Sequence, residues 1–175
     1  MISENLTKAL NDQVNAELYS AYLYLGMAAH AENMGLKGVA NWLWIQTKEE
    51  TAHAIHMHQY LLDRGATATF PAIKAPDSKF TGVKDIFEKT LAHEKGVTAR
   101  INAIATLAMK ENDHACYQFI MWYVNEQVEE ESNASEILNK LSMIGDNKGL
   151  LLNLDQELAA RIFNNPFPTD TKLIG

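Results

Sequence analysis

Apolar residues recur along this chain at steps of three and four, the spacing that keeps one face of an α-helix turned toward a core. Four long stretches carry the pattern. In the first, about residues 5–32, Leu6, Leu10, Val14, Ala21, Leu25 and Ala28 form a stripe that stops near Asn33-Met34-Gly35. The second, about 37–64, places Val39, Leu43, Met57 and Leu61 on one face and is closed by Gly65. The third, about 83–110, aligns Phe87, Leu91, Ile101, Ala105 and Ala108. The fourth, about 114–145, aligns Ile120, Tyr123, Ala134, Ile137 and Leu141, with Asn112 or Asp113 as its cap. After Gly145-Asp146-Asn147 a short leucine-rich helix is predicted over about 148–163, ended by Asn165-Pro166-Phe167-Pro168.

The connections set the topology. The turn between the first two helices is short, so they are antiparallel neighbours. Residues 66–82 hold Pro71, Pro76 and Gly82 and no helical period. Fully extended, such a segment reaches about 56 Å, and a 30-residue helix is about 45 Å long. It can therefore cross the whole length of a bundle and start the third helix at the far end. The expectation is one all-α domain over 1–165, a four-helix bundle with a long crossover between the second and third helices and a short fifth helix, followed by a tail over 166–175.

Composition narrows the function. Only four prolines and nine glycines occur, in keeping with helices, and 47% of the residues are hydrophobic, which excludes a disordered chain. No apolar run approaches the roughly 20 residues of a membrane span, and the first residues lack the basic start and apolar stretch of a signal peptide. The single cysteine, Cys116, has no internal partner and reads as a small buried hydrophobe. These features point to a cytoplasmic protein. The net charge of −7 argues against a nucleic-acid partner and is compatible with small cations.

The informative residues lie inside the apolar stripes. Glu17 stands among Leu10, Val14 and Ala21; Glu50 and His53 stand between Leu43 and Met57; Glu94 stands between Leu91 and Ile101; Gln127 and Glu130 stand between Tyr123 and Ala134. Burying several carboxylates without counter-charge is very unfavourable. Lys48, Lys89, Lys95 and Arg100 fall on other faces, so bound cations are the simplest compensation. The donor set suits two divalent ions bridged by a Glu: one held by Glu17, Glu50 and His53, the other by Glu50, Glu94 and Glu130. Gln127 is a poor ligand but a useful hydrogen-bond partner for a metal-bound water.

The spacing repeats. Glu17 and Glu50 stand as far apart as Glu94 and Gln127, and His53 follows Glu50 as Glu130 follows Gln127. The chain reads as two helical hairpins related by a pseudo-two-fold axis through the site. The halves differ, with Glu50-x-x-His53 in one and Gln127-x-x-Glu130 in the other. The position without an imidazole is expected to hold its ion more weakly, which suits an ion passing through better than a permanent cofactor.

On Glu17, Glu49-Glu50-Thr51-Ala52-His53, Glu94 and Glu126-Gln127-Val128-Glu129-Glu130, the sequence resembles the bacterial non-haem ferritins along essentially its whole length. The resemblance implies a ferritin-like four-helix bundle with a fifth helix, assembled into a hollow shell of 24 subunits. It implies a ferroxidase that oxidises Fe(II) with dioxygen or hydrogen peroxide and stores a ferric mineral. It also implies a third iron position beside the pair, at Glu49, Glu126, Glu129 and Glu130, and a tyrosine next to the pair, Tyr24. Bacterioferritins carry a haem-ligating Met in the second-helix motif and a second Glu-x-x-His; Thr51, Ala52, Gln127 and Glu130 depart from both, so no haem is expected. Trp122, His56, His58, His93 and His114 read as packing or surface residues, and the leucines of the fifth helix as a contact between copies. Two other classes remain open at this point: a di-iron or di-manganese oxidase acting on an organic substrate, and a helical scaffold whose buried acids meet a partner's charges.

Overall fold

The computed structural model describes residues 1–77 and 79–167. Five helices follow in order: α1 (Glu4–Asn33), α2 (Lys37–Asp63), α3 (Val83–Lys110), α4 (His114–Ile144) and α5 (Lys148–Ala159), with no strand among the described residues. The first four agree with the hydrophobic pattern to within a residue at each end. None of the described helices is long and apolar enough to cross a membrane.

The ends of the helices are fixed by local chemistry. Ser3 caps α1 by accepting from Leu6 N, and Asp113 caps α4 by accepting from Cys116 N. Gly65 ends α2 in a left-handed conformation, φ 69°, while Ala66 N donates back to Leu61 O. The N-terminus of α2 has no cap of its own. Asp155 of α5 supplies one, its Oδ1 accepting from Val39 N at 2.8 Å.

The crossover does what its length allows. Asn11, near the start of α1, donates to Thr67 O at 3.0 Å and accepts from Thr69 N at 2.7 Å. Asn15 donates to Pro71 O. At the other end of α1, Phe80 packs edge-on against His30 at 5.3 Å. The segment thus climbs alongside α1 for roughly 28 Å of helix axis. It delivers α3 to the opposite end of the bundle, so α1 and α4 run one way and α2 and α3 the other. Ser3 and Asn5 close the lower end by donating to Glu111 at the end of α3, and Arg64 at the end of α2 pairs with Asp113 at 2.7 Å.

The apolar core is divided. One cluster, including Met27, Leu43, Phe87 and Leu141, fills the end where α5 docks; another, including Leu10, Met57, Ile101 and Ile120, fills the opposite end. Between them lies a buried polar layer at the mid-length of all four long helices. On α3 the inner stripe differs from the sequence reading: Thr90 and Val97 are buried whereas Leu91 is half-buried. A strict three-four series drifts from the true period of 3.6 residues, and neighbouring positions exchange roles. Leu25 on α1 is half-buried for the same reason, with Tyr24 taking the inward place.

The fifth helix is shorter than expected, ending at Ala159 rather than near 163. Asn41 of α2 gathers the carbonyls of Leu158, Ala159 and Arg161, and the Arg161 side chain turns back onto α2. These contacts pull the chain off the helical path. Of the expected tail, Pro166 and Phe167 are described and the rest lies outside the described residues. Phe167 stacks on His56 at 3.7 Å and meets Trp122 at 4.5 Å.

Candidate metal centre

Each long helix sends its mid-length polar residues into the layer between the two apolar clusters. Glu17, Glu50, His53, Glu94 and Glu130 are all at most 3% exposed, Gln127 is 6% exposed, and Tyr24 is fully buried. Among the described residues, Glu17, Glu50 and His53 form a compact group whose donor atoms all lie within 4.8 Å of one another. Two carboxylates and an imidazole from two helices at that spacing suit one divalent ion. Glu94 and Glu130 stand beside this group and are held by other partners. The Tyr24 hydroxyl donates to Glu94 Oε1 in a short contact, and the Gln127 amide approaches Glu94 Oε2 at 3.4 Å. Gln46 Nε2 donates to Glu130 Oε2 at 2.8 Å.

The electrostatics follow from burial. Desolvation raises the Glu17 carboxyl above its ordinary range, against hydrogen bonds from Glu50 and Gln13 that lower it. Desolvation raises Glu50 well above the carboxylate range, with repulsion from Glu94 and Glu17 added. Glu94 is pushed to about 7 by burial, against the hydrogen bond from Tyr24. Burial and repulsion from Glu94 hold Glu130 well above the carboxylate range. Tyr24 is raised by burial and the nearby Glu94. The same desolvation drives His53 down to about 3, so its imidazole is neutral, as a metal ligand must be. Without metal, protons neutralise the layer; a cation would take their place.

His53 gives a direct test of fit. Its Nδ1 faces Glu50 Oε2 at 3.6 Å, whereas its buried Nε2 has no hydrogen-bond partner and lies 3.9 Å from Glu126 Oε1. A metal-binding histidine usually turns its second ring nitrogen toward a carboxylate. Glu126 is half-buried and raised to about 7 by burial, then by repulsion from Glu129 and Glu49. Glu129 is exposed, and Glu49 is half-buried and paired with Arg161 at 2.6 Å. Glu129 and Glu49 thus lie close enough to Glu126, and Glu49 close enough to Glu130, to raise those carboxyls.

Sequence reasoning missed the residues that orient these acids. Gln13 is fully buried and donates to Glu17 Oε1 at 2.9 Å, while Arg100 Nε donates to its carbonyl oxygen at 2.9 Å. Gln46 does the same for Glu130, with Arg161 donating to its Oε1 at 2.5 Å. Arg100 lies off the stripes, as expected, yet each glutamine brings an arginine to within one side chain of an acid. Arg100 starts from an outer face but its guanidinium reaches the layer through Gln13, and Arg161 comes from beyond α5. A buried glutamine four residues before a buried glutamate on one stripe was the available signal.

The other residues take quieter places. Trp122 meets the His53 ring edge-on at 5.5 Å. His93 bonds Ser20 at 2.8 Å, and His56 bonds Tyr123 at 2.9 Å. His58 is half-buried near Phe70, His114 is exposed, and Cys116 is buried.

A helical bundle with acids and one imidazole converging at its centre is an arrangement that could hold metal ions. A family model for a ferritin-like domain matches residues 7–144. The chain is 42% identical over 159 residues to a probable bacterial non-heme ferritin-like protein of Haemophilus influenzae, covering 90% of this chain and 96% of that protein. It is 39% identical over 164 residues to a bacterial non-heme ferritin of Staphylococcus aureus, covering 94% and 99%. Among solved structures, an open-pore ferritin from the hyperthermophilic archaeon Archaeoglobus fulgidus superposes with a TM-score of 0.91 at 46% identity, covering 93% of this chain and 100% of that one. A humanized archaeal ferritin gives 0.93 at 47%, covering 94% and 99%. This chain belongs to the ferritin family, in its bacterial non-haem branch.

Proposed function

We propose that this chain is an iron-storage ferritin subunit with ferroxidase activity, acting in the cytoplasm. Fe(II) is the substrate and cargo. One ion is held by Glu17, Glu50 and His53, the other by Glu50, Glu94 and Glu130, so that Glu50 bridges. The observation that carries this reading is the compact buried group of Glu17, Glu50 and His53, with Glu94 and Glu130 beside it.

The chain's own residues have separable tasks. Glu17 and Glu50, whose carboxyls burial raises, give up protons as Fe(II) enters. Gln13 and Gln46 hold Glu17 and Glu130 in place. Tyr24 fixes Glu94 by its hydroxyl, and Gln127 directs an amide N–H toward the second position. Glu49, Glu126, Glu129 and Glu130 take a third ion on the way out. Dioxygen or hydrogen peroxide accepts the electrons, and Fe(III) leaves for a mineral inside a shell of 24 copies. The fifth helix supports assembly: it buries Leu154 and Leu158 on its own bundle while Leu150 and Leu152 stay 45% and 56% exposed, available to neighbouring copies.

Anaerobic Fe(II) titration of the purified protein, followed by air and read by absorbance and particle size, tests the whole reading. Uptake far beyond two ions per subunit is expected; saturation at two would favour an oxidase acting on an organic substrate. In Glu50→Ala, tight binding of both ions is expected to be lost, and unchanged binding would sink the bridging assignment.

A further inference from the structure

Arg161, in the segment after α5, sends its side chain to the flank of the polar layer. One guanidinium nitrogen donates to Gln46 Oε1 at 2.5 Å and approaches the Trp42 carbonyl at 3.4 Å. The other donates to Glu49 Oε2 at 2.6 Å. The guanidinium lies 4.7 Å from the centre of the Trp42 ring. Asn41 fixes the backbone beneath it through three carbonyls, including that of Arg161 itself. Arg161 and Glu49 are 22% and 16% exposed, so solvent screens this pair less than an ordinary surface pair.

The chemistry of an amide links this contact to Glu130. A guanidinium has donors only, so it selects the carbonyl side of Gln46. The amide nitrogen is then forced to face Glu130, where it donates at 2.8 Å. One arginine therefore occupies Glu49 directly and orients Glu130 through Gln46. Both belong to the flanking acid cluster. A second observation points to a ligand there: the buried Nε2 of His53 is unpartnered and looks toward Glu126.

We propose that Arg161 is a positioning residue and built-in counter-ion of this cluster: it holds Glu49 and, through Gln46, Glu130, and a metal ion occupies the flanking position only by displacing it. The proposal rests on the reading above in which Glu49, Glu126, Glu129 and Glu130 take a third ion. Occupancy there is then coupled to the seating of α5, because the residue displaced is tied by Asn41 to the end of that helix.

The test uses the full-length assembled protein and Zn(II), which binds such donors without redox chemistry. Zn(II) is titrated against a chromophoric chelator in the wild type, Arg161→Gln, Arg161→Lys and Glu49→Gln. In Arg161→Gln the weakest step is expected to tighten roughly tenfold, the scale of one charge-assisted hydrogen bond, with the tighter steps unchanged. Arg161→Lys keeps the charge but not the fork and falls between. Hydrogen exchange adds a readout with Arg161 intact: saturating Zn(II) should loosen the Arg161 amide in the wild type, and should not do so in Glu49→Gln. A weakest step of equal affinity in wild type and Arg161→Gln overturns the proposal and leaves the metal assignments standing. Failure of the wild type to bind Zn(II) at all overturns both. If Arg161→Gln does not assemble, the lysine variant and the exchange measurement decide: no gain in the first and no loosening in the second also overturn the proposal.

Discussion

Gly38 and Asp155 bring α2 and α5 together backbone to backbone: a β-carbon at Gly38 would stand 1.6 Å from the Asp155 carbonyl oxygen. Helix propensity alone would favour alanine in this first turn by about 1 kcal/mol. The contact reverses the sign, since either α5 or α2 must shift. Gly38→Ala is expected to destabilise the protein by roughly 2 kcal/mol, the scale of an overpacked core, and to weaken assembly by unseating α5. Gly26, within α1, has nothing within 4 Å of such a β-carbon. Gly26→Ala is thus expected to stabilise by about 1 kcal/mol. Thermal unfolding and light scattering of the two variants check both signs.

Tyr24 and Glu94 are both fully buried and bonded to each other. Tyr24→Phe removes the donor and nearly keeps the volume, leaving one Glu94 oxygen without its bond. A loss of roughly 1–3 kcal/mol is expected in the metal-free protein. With Zn(II) present the loss should shrink, because a cation satisfies the same carboxylate. Denaturant unfolding with and without Zn(II) measures the difference; an equal loss in both conditions would assign Tyr24 to packing alone.

How legible the site was in the sequence depended on the kind of residue. Glu17, Glu50, Glu94 and Glu130 stood out because an acid in an apolar stripe is costly unless compensated, and all four are buried in the polar layer. Gln13 and Gln46 lie on the same stripes, but a glutamine there carries no such alarm. Arg161 was hidden by a helix expected to run past it. Its role depends on where Asn41 halts α5, a contact between residues more than a hundred positions apart. The crossover was readable from length alone, whereas its hydrogen bonds to Asn11 and Asn15 were not. The α3 stripe went astray at Leu91 because choosing a step of four over three, one residue away, rotates the chosen face.

Gln13 supplies a third test. Its amide donates to Glu17, and its oxygen takes Arg100. Gln13→Leu makes the position apolar, frees Glu17 and takes one acceptor from Arg100, which keeps its bond to the Asp12 carbonyl. The ion at Glu17, Glu50 and His53 is expected to bind roughly tenfold more weakly, as when a group orienting a ligand is removed, with the flanking cluster unaffected. Zn(II) competition titration reads the two positions separately, and a uniform weakening of all steps would count against a local role.

The buried acids also fix the pH dependence of the metal-free protein, and its sign is unusual. Burial raises Glu17, Glu49, Glu50, Glu94, Glu126 and Glu130 above the unfolded value of 4.5, with Glu94 and Glu126 near 7. A carboxyl raised on folding stabilises fully below the unfolded pKa, and that contribution is lost as pH rises toward the folded one. Burial lowers His53 and His93 to about 3 and about 4, which acts the other way up to the unfolded value of 6.5. Six carboxyls outweigh two imidazoles, so in chelator the melting temperature should fall as pH rises from about 5 to about 7.5. Metal inverts this, because each ion displaces protons and binds better as they leave. With Zn(II) the protein should gain stability over the same range, releasing protons measurable by calorimetry in buffers of different ionisation heat. A metal-free melting temperature that rises through this window would mean that the acids are not buried together.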